Sequence, residues 1–150
     1  MQGRGTERSV AVAEVEKLIR ERIERDPYAR LLGVKLLELG RGFARVQMEV
    51  REEMMNFHGV THGGAVFSLA DVAFAAASNS HGQVALALNM NINFLAATTT
   101  GATLTATATE EKPGNRTALY RIEVRDEREG LVAVLEGLVY RKKEPLLSPP

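Results

Sequence analysis

The chain has no cysteine. That excludes disulfides, thiolate metal sites and a cysteine nucleophile, and it fits a cytoplasmic protein. There is no excess of either charge: 19 basic residues stand against 19 acidic ones, for a formal net charge of zero. Nothing in that balance points to a nucleic-acid or other polyanionic partner. No apolar run is long enough to span a bilayer, since the longest, residues 65–77, is interrupted by Ser68 and Asp71. The first nine residues are polar and do not read as a signal peptide. The glycine-rich loops of dinucleotide and P-loop sites are missing, as is the glycine-x-serine-x-glycine turn of serine hydrolases. Internal repeats and low-complexity tracts are missing too.

What is present is 150 residues, 45% of them hydrophobic, which suits a single globular domain. Residues 1–8 read as a disordered lead, residues 9–143 as the domain, and residues 144–150 as a tail. A helix is expected from Ser9, its N-cap, to the stop at Asp26-Pro27. Val12, Val15, Leu18, Ile19 and Ile23 form its apolar face. Strands are expected over residues 34–39 and 43–50, joined by a hairpin at Gly40-Arg41-Gly42. Residues 54–61 read as a loop. His62-Gly63-Gly64 then leads into a helix over residues 65–78 that is apolar nearly all round and therefore buried. Four strand-like stretches follow, residues 84–95, 103–112, 117–126 and 131–141, with turns at Pro113-Gly114-Asn115 and Arg128-Glu129-Gly130. The sum is an α+β chain: a curved antiparallel sheet wrapped around a long central helix, with an additional N-terminal helix. Such a sheet leaves a face and an edge strand open, and self-association would cover them.

Between Glu53 and Glu110 the only formal charge is Asp71, and all three histidines, His58, His62 and His81, fall in the same stretch. Asp71 has Phe67, Ser68, Phe74 and Ala75 one turn away and no basic residue there to pair with. Burying an ionised carboxylate without a partner costs several kcal/mol. Either an arginine or a loop from elsewhere in the fold satisfies it, or it is a general base or nucleophile with a raised pKa. Gly63 and Gly64 open a helix whose first amides lack intrahelical acceptors, so those amides can stabilise an oxyanion. Equally, the two glycines can serve only a tight turn, and His62 can be a hydrogen-bonded core histidine. Asp71 and Gly64 are seven residues apart, roughly 10 Å of helix rise. A second subunit would bring both groups to one carbonyl more easily than one chain does. His58 and His62 lack the further ligands a metal site needs, and no metal is expected.

The pattern Asn56-x-x-Gly59-x-x-His62-Gly63-Gly64, with Asp71 and Asn79 after it, resembles the hotdog-fold acyl-CoA thioesterases of the phenylacetate-degradation type. Residues 67–75 and Ser78-Asn79-Ser80 carry the same likeness, which spans roughly residues 31–141. The resemblance implies hydrolysis of an aryl (phenylacetyl-type) or medium-chain acyl-CoA to free acid and CoA. It implies Asp71 as base or nucleophile, the Gly63 amide as oxyanion donor with Gly64 and His62 beside it, and Asn56 as orienting group. Phe67, Ser68, Asn79 and Asn89 are expected to contact the acyl-CoA, and Lys112, Asn115 and Arg116 are candidates for the CoA phosphates, although those three also read as a solvated turn. No cofactor is implied, because coenzyme A is part of the substrate. The site is implied at a dimer interface, with dimers paired into a tetramer. Relatives with a serine on the strand after the helix would have it where this chain has Ala87, leaving Ser68 or Asn89 to assist the carboxylate. The alternatives are a non-catalytic acyl-CoA binding module and a hotdog dehydratase or hydratase.

Overall fold

The computed structural model describes residues 3–147, so the lead expected at residues 1–2 and the tail expected at residues 148–150 lie outside the described residues. The first helix, α1, spans Gly3–Arg25. Residues 3–8 are therefore its opening turns, not the disordered lead expected there; Arg4, Glu7 and Arg8 are good helix formers and no proline interrupts them. Val15 and Ile19 are buried on its inner face, whereas Val12, expected on the same face, is largely exposed. Asp26 ends α1 and begins a second, unexpected helix, α2, at Pro27–Leu32. Its carboxylate accepts the amides of Tyr28 and Ala29, each at 2.9 Å, and Pro27 follows at the first helical position. Gly33, at φ 72°, closes α2 in the left-handed conformation.

Strands β1 (Lys35–Gly40) and β2 (Phe43–Glu49) form the expected hairpin. A short 3₁₀ turn at Glu52–Met54 leads to the central helix α3, Gly63–Asn79. The remaining strands are β3 (Gln83–Phe94), β4 (Thr103–Lys112), β5 (Thr117–Arg125) and β6 (Leu131–Pro145). They make one antiparallel sheet in the order β1-β2-β4-β5-β6-β3. The expected tail is also corrected: β6 runs to Pro145, and Leu146 is buried, with its amide on the Gly82 carbonyl.

One face of the sheet packs on α3. Alternation places Val46, Met48, Leu104, Ala106, Tyr120 and Ile122 against the helix, which answers with Leu69, Ala70, Ala73 and Phe74. The contact is close: a Cβ on Gly137 would lie 2.6 Å from the Phe74 ring. Yet α3 is not buried all round. Gly64, Asp71 and Ala75 are exposed and Ser68 half-buried, so one stripe of the helix stays open. The sheet covers one side of α3, and α1 and α2 meet part of the other without closing over the exposed stripe.

Candidate active site

Asp71 lies at the centre of that open stripe. It is exposed, not buried as its apolar surroundings suggested, and no side chain pairs with it among the described residues. Its pKa is nevertheless raised above the ordinary value, first by partial burial among its helix neighbours and second by the negative charge of Asp26. The corner between α1 and α2 therefore stands beside the carboxylate. Tyr28, also from that corner, bonds the Ser68 hydroxyl at 3.0 Å, while Ser68 donates to the Gly64 carbonyl at 2.7 Å. The Ser68 proton is thus held by the backbone of its own helix. Asp26 and Tyr28 were not read as site residues from the sequence. Their distance along the chain hides them, and only the apolar face of α1 hinted that this segment folds back on the core.

The start of α3 is built differently. His62 is the N-cap, and its Nδ1 accepts the Gly64 amide at 2.8 Å. The Nδ1 atom therefore carries no proton, and the histidine orients the turn. The Gly64 amide is occupied by this bond. The Gly63 amide has no hydrogen-bond partner among the described residues. A Cβ on Gly63 would come within 2.9 Å of the Phe94 ring, and one on Gly64 would lie 3.0 Å from His62 Nδ1. A side chain at Gly63 would therefore require the Phe94 ring to shift. Asn56 shapes the preceding loop, its side-chain oxygen accepting the amides of His58 at 2.9 Å and Val60 at 3.3 Å. Asn56, Gly63, Val66 and Phe94 share a cavity of about 410 Å³. Phe94 was missed by the sequence reading, which took its strand only as sheet.

Other expected members of the site are placed elsewhere. The Asn79 amide group is engaged with backbone, accepting the Ala85 amide at 3.0 Å and donating to the Ala75 carbonyl at 2.9 Å. An irregularity between Ala87 and Asn89 resets the alternation of β3, so Asn89 pairs with Leu138 on the sheet face turned away from α3 and bonds Asn91 at 2.8 Å. Asn89 is therefore not available to assist Asp71 of its own chain. Phe67 is half-buried on α3 and packs against the core. Lys112, Asn115 and Arg116 are exposed around the β4–β5 turn, and Arg116 bonds the Tyr140 hydroxyl at 3.0 Å. That turn is tied to the C-terminal end of α3, not to Gly63. Arg141 donates to the Gly114 carbonyl and to Glu110, and Glu110 meets His81.

The three histidines do not converge. His58 is exposed and stacks on Phe57. His81 belongs to a separate network in which one Glu110 oxygen takes bonds from Tyr120 at 2.5 Å, Arg141 at 2.6 Å and His81 Nε2 at 2.7 Å. Arg41 donates to His81 Nδ1 at 3.1 Å, which assigns the neutral tautomer with the proton on Nε2. Burial alone would push the Glu110 carboxyl up, but the hydrogen bonds from Tyr120 and His81 and the charge of Arg141 hold it low. His81 is lowered, chiefly by burial. The network locks the far end of α3 to β4, β5 and β6.

Within one chain, Gly63 and Asp71 are separated by about 12 Å of helix rise, eight residues at 1.5 Å each. A reacting carbonyl must lie about 3 Å from both groups. One chain thus carries two half-sites, an unpaired carboxylate and a free helix-start amide.

Residues 58–133 match the family described as the thioesterase superfamily. A protein of Archaeoglobus fulgidus is 43% identical over 130 residues, covering 87% of this chain and 84% of its own. The acyl-coenzyme A thioesterase PaaI of Escherichia coli K12 is 42% identical over 118 residues, covering 79% of this chain and 84% of its own. The structure of the E. coli PaaI protein superposes with a TM-score of 0.84 at 36% identity, over 89% of this chain and 98% of that one. A Streptococcus mutans protein bound to acetyl-CoA superposes with a TM-score of 0.72 at 25% identity, over 75% of this chain and 90% of that one.

Proposed function

The chain belongs to the thioesterase superfamily, in its hotdog, PaaI-like branch, and is a thioester hydrolase; on that premise we propose that it hydrolyses an aryl or medium-chain acyl-CoA, with Asp71 and the Gly63 amide supplied by two different subunits of a dimer. The observation that carries this reading is the pair of half-sites: an unpaired carboxylate with a raised pKa, and an unpartnered amide at the start of the same helix, too far apart to serve one carbonyl. The exposed stripe of α3 and the edge strand β3, with Leu86 and Leu88 exposed, offer the surface for that pairing. Two such dimers form a tetramer in this reading.

Asp71 takes a proton from water as the water oxygen attacks the thioester carbon. Alternatively the carboxylate attacks first, and water then cleaves the mixed anhydride. The carbonyl oxygen gains negative charge and is held by the Gly63 amide and the positive end of α3. The carbon–sulfur bond breaks, the CoA thiolate takes up a proton, and the free acid leaves. Asn56, in the same cavity as Gly63, orients the thioester or the water. No cofactor takes part, and coenzyme A enters and leaves as part of the substrate.

The test is release of free CoA from acetyl-, hexanoyl-, octanoyl- and phenylacetyl-CoA. Turnover of the longer or aryl esters supports the reading. Tight binding of these esters without turnover would overturn it in favour of a binding module.

A further inference from the structure

A cavity of about 310 Å³ lies between α1, α3 and the start of β3. Ile19 and Ile23 of α1, Ala75 and Ala76 of α3, and Val84 and Leu146 line it. Ala75 is exposed and lies one turn beyond Asp71 on the open stripe of α3, about 6 Å of helix rise away. Asp26, whose charge reaches the Asp71 carboxylate, also lines this cavity. The cavity is therefore continuous with the side of α3 that carries the carboxylate.

Resting on the function proposed above, we propose that this cavity receives the acyl tail of the substrate, and that the N-terminal helix, through Ile19 and Ile23, sets the length and bulk of the tail that is cleaved. The thioester carbon lies at Asp71, and the tail runs from there toward the C-terminal end of α3. The lining selects an unfunctionalised alkyl or aryl group. Two of the polar groups that line the cavity are partly engaged: Asn79 by the backbone of Ala75 and Ala85, and one Arg22 nitrogen by the Leu146 carbonyl at 3.3 Å. Most of the lining is apolar, so discrimination rests chiefly on shape and apolar contact. The size is adequate, since an apolar cavity of about 150 Å³ already takes benzene. Two alanines on α3 and the small side chain of Val84 keep the space open, and Ile23 is half-buried at the edge of the core.

The experiment is the kcat/KM of each ester in the CoA-release panel for the wild type, Ile23→Phe, Ile23→Ala and Val84→Phe, with the melting temperature of each. Ile23→Phe and Val84→Phe fill the cavity from α1 and from β3. Each is expected to lower the octanoyl-to-acetyl and phenylacetyl-to-acetyl ratios about tenfold or more, the scale of one or two methylenes in an apolar pocket. Ile23→Ala is expected to move the preferred chain length upward. Val12→Phe, on the same helix but outside the cavity, keeps the wild-type ratios. If the wild type hydrolyses the esters but the ratios stay constant in folded variants, the acyl subsite is overturned while the thioesterase reading stands. A wild type without turnover on any ester would instead sink the function on which the subsite rests.

Discussion

The imidazole of His62 accepts the amide of Gly64 at 2.8 Å, two residues ahead of it in the chain. Of the two glycine amides at the start of α3, that leaves the Gly63 amide as the one without a partner among the described residues. Gly63 is the first helical residue, where proline fits a helix and removes only an amide that no helix bond uses. His62, at ψ 131°, already has the extended backbone that a following proline requires. The Phe94 ring has to be cut back to make room. Gly63→Pro with Phe94→Ala is therefore expected to lose about 10²–10³-fold in kcat relative to Gly63→Ala with Phe94→Ala. Equal rates for the two double variants would remove Gly63 from the oxyanion role. Mixing the proline variant with Asp71→Asn under conditions of subunit exchange should restore activity to about a quarter of wild type, because half of randomly paired dimers regain one intact site.

Asp71→Asn is expected to lower turnover by about 10²–10⁴-fold while the protein stays folded. Its effect on stability has the opposite sign. The folded chain holds a proton on Asp71 more tightly than the unfolded chain, whose reference value is 3.8. Above that range the ionised carboxylate opposes folding, and stability falls as pH rises through the folded pKa. Asparagine removes that opposition, so the melting temperature near neutral pH should rise. A thermal melt beside the CoA-release assay reads both effects. Near-full activity in Asp71→Asn would end its assignment as base or nucleophile.

Asp26 offers a way to move the Asp71 pKa without changing Asp71 itself. Its negative charge is the second cause of the rise, after burial. Asn caps a helix about as well as Asp, so Asp26→Asn keeps α2. A base must be ionised, so kcat/KM declines as pH falls through the Asp71 pKa. In Asp26→Asn that acid limb is expected at lower pH, by part of the shift only, because burial remains. An unmoved limb would mean that another group controls it.

The network at the far end of α3 predicts a pH dependence of stability. His81 titrates below its ordinary value of 6.5, chiefly because burial disfavours its charge. The unfolded chain therefore takes up a proton that the folded chain resists, and stability is lost as pH falls from about 6.5 toward the folded value. Glu110 is also lowered, so its contribution is present above 4.5 and is lost as pH falls through its folded pKa. His81→Gln should flatten the upper part of this slope in melting temperatures taken from about pH 7.5 to 5.5. Arg141→Met, which leaves Glu110 without its buried counter-charge, should cost about 3–5 kcal/mol in denaturant unfolding.

Much of the fold could be read along the chain because it rests on local pattern. The strict alternation in β2, β4 and β5, the hairpin at Gly40–Gly42 and the apolar run of α3 are each decided within a few residues. The ends were harder. Nothing in residues 3–8 competes with continuing α1, and Leu146 is buried only because β6 and the Gly82 turn meet in space.

The same division holds at the site. The sequence by itself determined the candidate groups: one carboxylate in a long stretch without charge, and two glycines opening the helix that bears it, are matters of residue type and spacing. The tertiary structure decided which of those groups are free. It placed the Gly64 amide on His62, Ser68 on Gly64 and Tyr28, Asn79 on the backbone and Asn89 on the far face of the sheet. It also brought Asp26 beside Asp71 and the apolar wall of α1 over Ala75. Hydrogen bonds and electrostatic fields act through distance in space, and chain spacing reports that distance only within a helix, a strand or a turn.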